Sequence, residues 1–192
     1  MNKIFIACTL ITGIILSLEN RYYIQPDESE LVWTGKKING EHYGTIMFKS
    51  GFIDVIDSQI IAGEFIIDMS SIKVTDMSPK YNLKLENHLK NTDFFKVDEF
   101  PTASFKVTGS HKFFIIDEIG VEGELNIKNI ALKKIIPASI SINDSTAKAS
   151  GIINIDRTLF GITYGSGSFF ENLQDRAIDD IFSLKFNVTA KR

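Results

Sequence analysis

Apolar and polar residues alternate with a period of two along most of the chain after Tyr22. Leu31 and Trp33 oppose Val32 and Thr34. Gly44, Ile46 and Phe48 oppose Thr45, Met47 and Lys49, and Gly63, Phe65 and Ile67 oppose Glu64, Ile66 and Asp68. Side chains on a strand point alternately to its two faces, so each run predicts a half-buried strand. The pattern returns in residues 102–108, where Phe105 and Val107 share a face, and in Leu125, Ile127 and Asn129 against Asn126, Lys128 and Ile130. Ala138, Ile140 and Ile142 oppose Ser139, Ser141 and Asn143, and residues 147–155 read as a further strand. Most regular is the last run: Phe182, Leu184, Phe186, Val188 and Ala190 against Ser183, Lys185, Asn187 and Thr189. Breaks are expected at residues 35–40, at Ser50-Gly51 and at Asp57-Ser58. Gly63 reads as a bulge or bend. The strand that starts at Ile60 is expected to end at Met69, with Ser70-Ser71-Ile72 leaving it and residues 73–79 as a polar connection. Residues 113–116 are apolar on both faces, which predicts a strand covered twice or an irregular edge.

The alternation fails between Leu85 and Phe105. Leu85 and Leu89 are four apart, one face of a short helix. Asn82 can cap it, Glu86 falls near its first turn, and it runs to about Lys90. Asn91-Thr92-Asp93 has turn composition, Phe94-Phe95 follows, and Pro101 ends the insert before the next strand. About eight strand runs joined mostly by short turns, with no strand–helix–strand spacing, make an all-β antiparallel fold. A closed barrel and a two-sheet sandwich both satisfy this pattern. A closed barrel of about eight strands has room inside for one small ligand, with the helical insert near its mouth.

The start of the chain does not alternate. After Lys3, residues 4–18 carry no charge and are mostly apolar. That run is short for a membrane span and suits an export signal, which places residues 1–18 as a signal peptide and residues 19–192 as one domain. No A-x-A pattern precedes Glu19, so an uncleaved membrane anchor is the alternative to a periplasmic or secreted protein. The lone Cys8 lies inside the run, so no intramolecular disulfide forms and the domain itself has no thiol for catalysis or metal. At 192 residues, 44% hydrophobic and 23% charged, the chain is long enough to bury a core. Its net charge of −3 gives no basic surface for nucleic acid.

Candidate chemistry is sparse. His42, His88 and His111 lack ligand spacing, so no metal or other cofactor is expected. His42 begins a strand and His88 lies on the insert, so the two can meet at one rim, as structural hydrogen-bonders or against a ligand head; His111 reads as a solvated turn residue. No G-x-S-x-G elbow occurs, and the carboxylate pairs sit in turn sequences, so no catalytic residue is assigned. Arg157, at a strand end near Phe160, can hold an anionic or polar head through its fork of donors, or form a surface ion pair.

Four blocks, in order, resemble the YceI-like family over roughly residues 22–190. The first is Trp33-x-Gly35-Lys36 with His42-Tyr43-Gly44-Thr45-Ile46 and Phe48-x-Ser50-Gly51. The second is Gly63-x-Phe65-x-Ile67-Asp68-Met69-x-Ser71-Ile72 with Asp76. The third is Leu85-x-x-His88-Leu89-Lys90, Asp93-Phe94-Phe95 and Phe100-Pro101-Thr102-Ala103-x-Phe105. The last is Asp156-Arg157-x-x-Phe160-Gly161-Ile162. Residues 112–134 do not align with the family pattern. The resemblance implies a lipocalin-like antiparallel barrel that takes up a long apolar chain (polyisoprenoid, isoprenoid quinone or fatty amide), in an exported carrier or sequestering protein. It makes Trp33, Ile46, Phe48, Phe65, Ile67, Phe105, Phe160, Leu184 and Phe186 the inward candidates. Phe94 and Phe95 become candidates to close over the chain, with His42, His88 and Arg157 at its head. Two readings from other classes stand beside it: a barrel hydrolase or isomerase using His42, His88 and Asp68, and an envelope-stress interaction module with a filled barrel. A homodimer is left open.

Overall fold

The computed structural model describes residues 20–113 and 118–192. The expected signal segment 1–18, with Cys8, and residues 114–117 of the apolar run at 113–116 lie outside the described residues.

Among the described residues nine strands form one antiparallel sheet: β1 (Asn20–Ile24), β2 (Glu30–Lys37), β3 (Gly40–Ile56), β4 (Gln59–Val74), β5 (Thr102–Lys112), β6 (Ile119–Ile127), β7 (Ile130–Ile142), β8 (Thr146–Asp156) and β9 (Ile178–Lys191). An α-helix, α1 (Pro79–Lys90), lies between β4 and β5. Successive strands pair from β2 round to β9, and β9 pairs back with β2, so the sheet closes on itself. β1 and β2 share one position in the wall. β1 meets β3 at residues 52–55 and β9 at Ala190 and Lys191, whereas β2 meets β3 at residues 40–46 and β9 at residues 178–187. The result is a barrel of eight positions, and closure removes the exposed sheet edges that a sandwich would keep.

Two expected breaks are not strand ends. β3 runs through Ser50-Gly51, with Lys49 bulged out between the pairs Phe48↔Ile67 and Ser50↔Ile66. β4 continues past Met69 to Val74, although its ladder with β3 lapses over residues 69–72. There the Ser71 hydroxyl replaces a ladder partner, accepting from the Met47 N–H and donating to the Asp68 carbonyl. Bulges of this kind bend a strand, which a closing sheet requires. The irregularity near Gly63 is one of them, but the extra residue is Ile61; Gly63 pairs regularly with Ile53 and Val107. Asn129 belongs to a turn, not a strand: Lys128 and Asn129 have φ of 51° and 60°, and Asp57 and Ser58 have 49° and 63°. Positive φ at both central residues gives the turn a twist that matches its flanking strands.

Strand directions alternate, so the β2–β3 turn, α1, the β6–β7 turn and the long β8–β9 connection share one end of the barrel, the mouth. β1 closes the opposite end. The Tyr22 hydroxyl donates to the Asn143 carbonyl (2.7 Å), and Arg21 makes two bonds to Asp54 (2.6 and 2.7 Å) with its guanidinium 4.0 Å from the Phe52 ring centre. The core lies inside the barrel: Leu31, Phe48, Val107, Val121, Ile153 and Ile155 are buried, while their strand neighbours Lys49, Lys106, Glu122, Ile152 and Asn154 are exposed.

A two-chambered candidate binding site under a helical lid

The barrel interior is not filled. An inner cavity of about 130 Å³ is bounded by Phe48, Phe65, Phe105 and Phe186, with Ile24 of β1 among its walls. An outer cavity of about 200 Å³ lies at the mouth, between Trp33, Ile46, Met69, Ile72 and Phe182 of the wall and Leu85, Leu89, Phe94 and Phe95 of the insert. Ile67, Leu125, Ile155 and Leu184 border both cavities. One layer of four side chains, from β4, β6, β8 and β9, therefore separates two apolar chambers stacked along the barrel.

Small residues make room for the rings of the inner chamber. A Cβ on Gly123 would lie 2.6 Å from the Phe105 ring, and one on Gly151 would lie 2.7 Å from the Phe186 ring. Gly151 pairs with Phe186, and Gly123, opposite Val107, is diagonal to Phe105 on the neighbouring strand, so each ring lies over bare backbone and leaves the middle of the barrel free.

The lid is held at three places. Pro79 opens α1, a position where a missing N–H costs nothing. Asn82 acts as a tether, accepting from the Met77 N–H (3.0 Å), while Ser78 is the residue that precedes the helix. Glu86 lies in the middle of α1 and is buried. Its carboxylate accepts from the Val74 N–H (3.0 Å) and pairs with Lys73 (3.4 Å), docking the helix on the end of β4. The turn after α1 is held by aromatics. The rings of His88 and Phe94 meet edge-on at 5.0 Å, and Tyr164 of the β8–β9 connection packs on both, at 4.8 and 5.4 Å. Phe95 meets Phe182 edge-on at 6.4 Å.

Polar groups occur at the mouth. His42 Nδ1 bonds the Asp76 carboxylate (2.7 Å), which leaves Nε2 as the nitrogen not used by that pair. Arg157 is buried, and all five of its N–H groups are committed: to the carbonyls of Ile162, Tyr164, Ile178 and Asp179 at 2.8–3.0 Å, and to Asp180 at 3.4 Å. Burial pushes its guanidinium below the ordinary value, against the fields of Asp180, Asp156 and Asp179. Asp180 lies below the usual carboxylate range. Burial alone would raise it, but hydrogen bonds from Ser166 and Ser168 and the charge of Arg157 outweigh this effect. A carboxyl depressed in the folded state stabilises it fully above its unfolded value and loses that contribution as pH falls through the folded one. Acid is thus expected to loosen the β8–β9 connection below about pH 3.8, the ordinary aspartate value. Asp180→Asn should flatten this part of the melting-temperature profile between roughly pH 5 and 2.

A family model described as the YceI-like domain matches residues 22–190. The chain belongs to the YceI-like family. Solved structures share the fold. Burkholderia cenocepacia BcnA is 19% identical, with a TM-score of 0.68 over 86% of this chain and 98% of that one. A polyisoprenoid-binding domain from Saccharophagus degradans, implicated in plant cell wall breakdown, is 10% identical, with a TM-score of 0.62 over 88% of this chain and 97% of that one. A mutant YceI protein of Campylobacter jejuni is 20% identical, with a TM-score of 0.56 over 76% and 82% of the two chains. No curated protein sequence matches the chain.

Within this YceI-like barrel the expected residues separate by chamber. Phe48, Phe65, Phe105 and Phe186 line the inner one. Trp33, His42, Ile46, Phe94, Phe95 and Arg157 line the outer one, and Ile67 and Leu184 line both. Phe160 and His88 line neither. Phe160 is buried in a single 3-10 turn, Arg157–Phe160, where the alternation of β8 has already ended. His88 bonds Asp93 (3.1 Å) at the junction of lid and connection. The three-residue His42–His88–Asp68 site does not assemble: His42 pairs with Asp76, His88 with Asp93, and Asp68 with the Ser70 backbone and hydroxyl. His111 lies in β5 and pairs with Glu122 (2.7 Å) on the surface. Among the described residues no group of three His, Cys, Asp or Glu can hold a metal ion. The sequence reading missed Glu86 as the lid's anchor and the tetrad Ile67, Leu125, Ile155 and Leu184 as a layer. A lone acid on a helix that lies over an apolar cavity was the available signal for the first; the second has none, because it depends on how four strands align.

Proposed function

We propose that the protein holds a long apolar chain, such as a polyisoprenoid, an isoprenoid quinone or a fatty amide, inside the barrel, as an exported carrier or sequestering protein without catalysis. The observation that supports this most is the pair of stacked apolar chambers under a hydrophobic lid. An apolar cavity of about 150 Å³ stays dry and takes up apolar ligands, and two such spaces in line suit a chain better than a compact molecule. The polyisoprenoid-binding relative agrees with this ligand class. Each methylene moved from water into the chambers contributes about 0.8 kcal/mol. His42 is the polar contact for the head: with Nδ1–H donating to Asp76, Nε2 accepts from a hydroxyl or amide. Arg157 shapes the wall there and has no spare donor. The apolar segment 1–18 supports export.

Native mass spectrometry of the protein purified from its own host tests the reading, with organic extraction identifying what is released. A bound lipid of defined mass is expected. Extraction that yields no lipid, together with no lipid that raises the melting temperature, would sink it. Phe95 gives a second check. Its ring covers the outer chamber and is only partly buried, so a ligand supplies part of its contact. Phe95→Ala is expected to speed ligand loss by about tenfold, which matches roughly 1.5 kcal/mol of lost apolar contact, with a smaller loss of stability in the ligand-free protein. Equal losses of both would make Phe95 ordinary core.

A further inference from the structure

The lid has a second face, and it is unusual for a helix over a cavity. Lys80, Leu83, Lys84 and Asn87 fall at the i, i+3, i+4, i+7 spacing of one helix face and are all exposed, with Tyr81 beside them. Leu83 is 57% and Tyr81 59% exposed. The only acid on α1, Glu86, is turned inward and bonded to β4. The outer face of α1 is therefore apolar and cationic, and among the described residues neither Lys80 nor Lys84 has a carboxylate partner. The connection that abuts the lid through Tyr164 adds Phe169 and Phe170, 58% and 50% exposed, on a compact turn closed by bonds from both N–H groups to the Ser166 carbonyl. Glu171, Asp175 and Arg176 lie on the same connection, so the connection adds aromatics and no net positive charge, and the cationic face is that of the helix.

We propose that this end of the barrel docks on an anionic lipid surface, with the outer face of α1 as the contact and the exposed Phe169 and Phe170 of the connection at the same end of the barrel as further apolar contacts. Lysines meet anionic headgroups while leucine and aromatic rings enter the boundary between headgroups and acyl chains, the arrangement of helices that lie in a membrane interface. At 12 residues α1 is too short to span a bilayer, so the contact is superficial. Charge complementarity chooses this occupant over a second copy. In a two-fold dimer through this face, the same patch meets itself, and Lys80 and Lys84 would oppose their own counterparts. The contact also sets the mouth of the outer chamber against a bilayer, so an apolar chain can pass between the two with little exposure to water. The docking itself does not depend on which ligand the chambers hold.

Co-sedimentation of the full chain with vesicles tests this. Phosphatidylcholine vesicles are compared with phosphatidylcholine–phosphatidylglycerol vesicles at low and high salt, for the wild type, Lys80→Glu/Lys84→Glu and Tyr81→Ser/Leu83→Ser. The substituted side chains are exposed, so melting temperatures should match the wild type. Binding is expected to favour the anionic vesicles and to weaken with salt. Each lysine lost near an anionic surface costs about fivefold in affinity, so the double lysine variant should bind at least twentyfold less tightly. The serine variant should weaken binding to both vesicle types. The apolar N-terminal run is common to all three proteins, so the difference between variants is the readout. Equal binding by the wild type and the lysine variant, or no preference for anionic vesicles, would overturn the proposal. So would a dimer in sedimentation velocity that Tyr81→Ser/Leu83→Ser dissociates, which would assign this face to a second copy.

Discussion

Leu184→Trp is expected to shorten the longest chain the barrel accepts while leaving short chains bound. Leu184 borders both chambers, and with Ile67, Leu125 and Ile155 it forms the one layer between them. An indole there thickens that layer and extends into the free space of the chambers on either side, so the strain should stay at the low end of the 1–3 kcal/mol typical of overpacking. A ligand that reaches only the outer chamber loses little. A ligand that extends into the inner one forfeits about 0.8 kcal/mol for each methylene kept out. Four excluded methylenes amount to about 3 kcal/mol, or roughly two hundredfold in affinity. Competition across a homologous series of fatty amides or isoprenoid alcohols, read by displacement of a fluorescent chain, measures this directly. Leu184→Ala should act the other way, joining the chambers and favouring longer chains, at a stability cost of about 2–4 kcal/mol. If the wild type binds the series and the tryptophan variant shows the same length dependence, the chambers do not act in line. If the wild type binds nothing, the carrier reading fails before this question arises.

Arg157→Met should produce the largest loss of stability of any single change outside the cavity layer. The guanidinium supplies donors to four backbone carbonyls and to Asp180. Methionine keeps much of the volume but strands those acceptors, each of which costs about 1–3 kcal/mol if it stays dry. Water will reach some of them, so a total of about 3–5 kcal/mol is expected, close to ~10 °C in melting temperature for a domain of this size. Arg157→Lys should recover little, because one ammonium cannot reach acceptors arranged around a planar fork. Hydrogen exchange should show the loss concentrated in the β8–β9 connection, and lid closure should suffer with it because Tyr164 packs on Phe94. A variant that melts like the wild type but releases its ligand would instead make Arg157 a head-group contact, the role its position beside Phe160 suggested in the sequence.

The two histidines of the mouth show how far side-chain spacing can be read. Both were expected at one rim, and both do lie at the mouth end. Their partners were not legible: Asp76 for His42 and Asp93 for His88 are carboxylates that the turn composition already explained. Phe160 is buried in the core but lines neither chamber, for a different reason. It lies four residues beyond the last clear strand position, where inward and outward lose their meaning once the chain leaves the sheet. By contrast Phe48, Phe65, Phe105, Leu184 and Phe186 were placed correctly, because each sits inside a run whose parity is fixed by its neighbours.

That difference marks what the sequence determined alone. Strand identity, antiparallel order, the helical insert and the inward face of each strand follow from local periodicity, since successive side chains on a strand must point to opposite faces. The family blocks added the barrel. The tertiary structure alone decided that β1 and β2 share one staff of the wall, that glycines on β6 and β8 lie under the rings of Phe105 and Phe186, and that the empty space is split in two by Ile67, Leu125, Ile155 and Leu184. Those features depend on register between strands and on side chains that meet across the barrel from distant parts of the chain. Alternation says which way a side chain points; only closure of the sheet says what it meets there, and whether anything fills the space between.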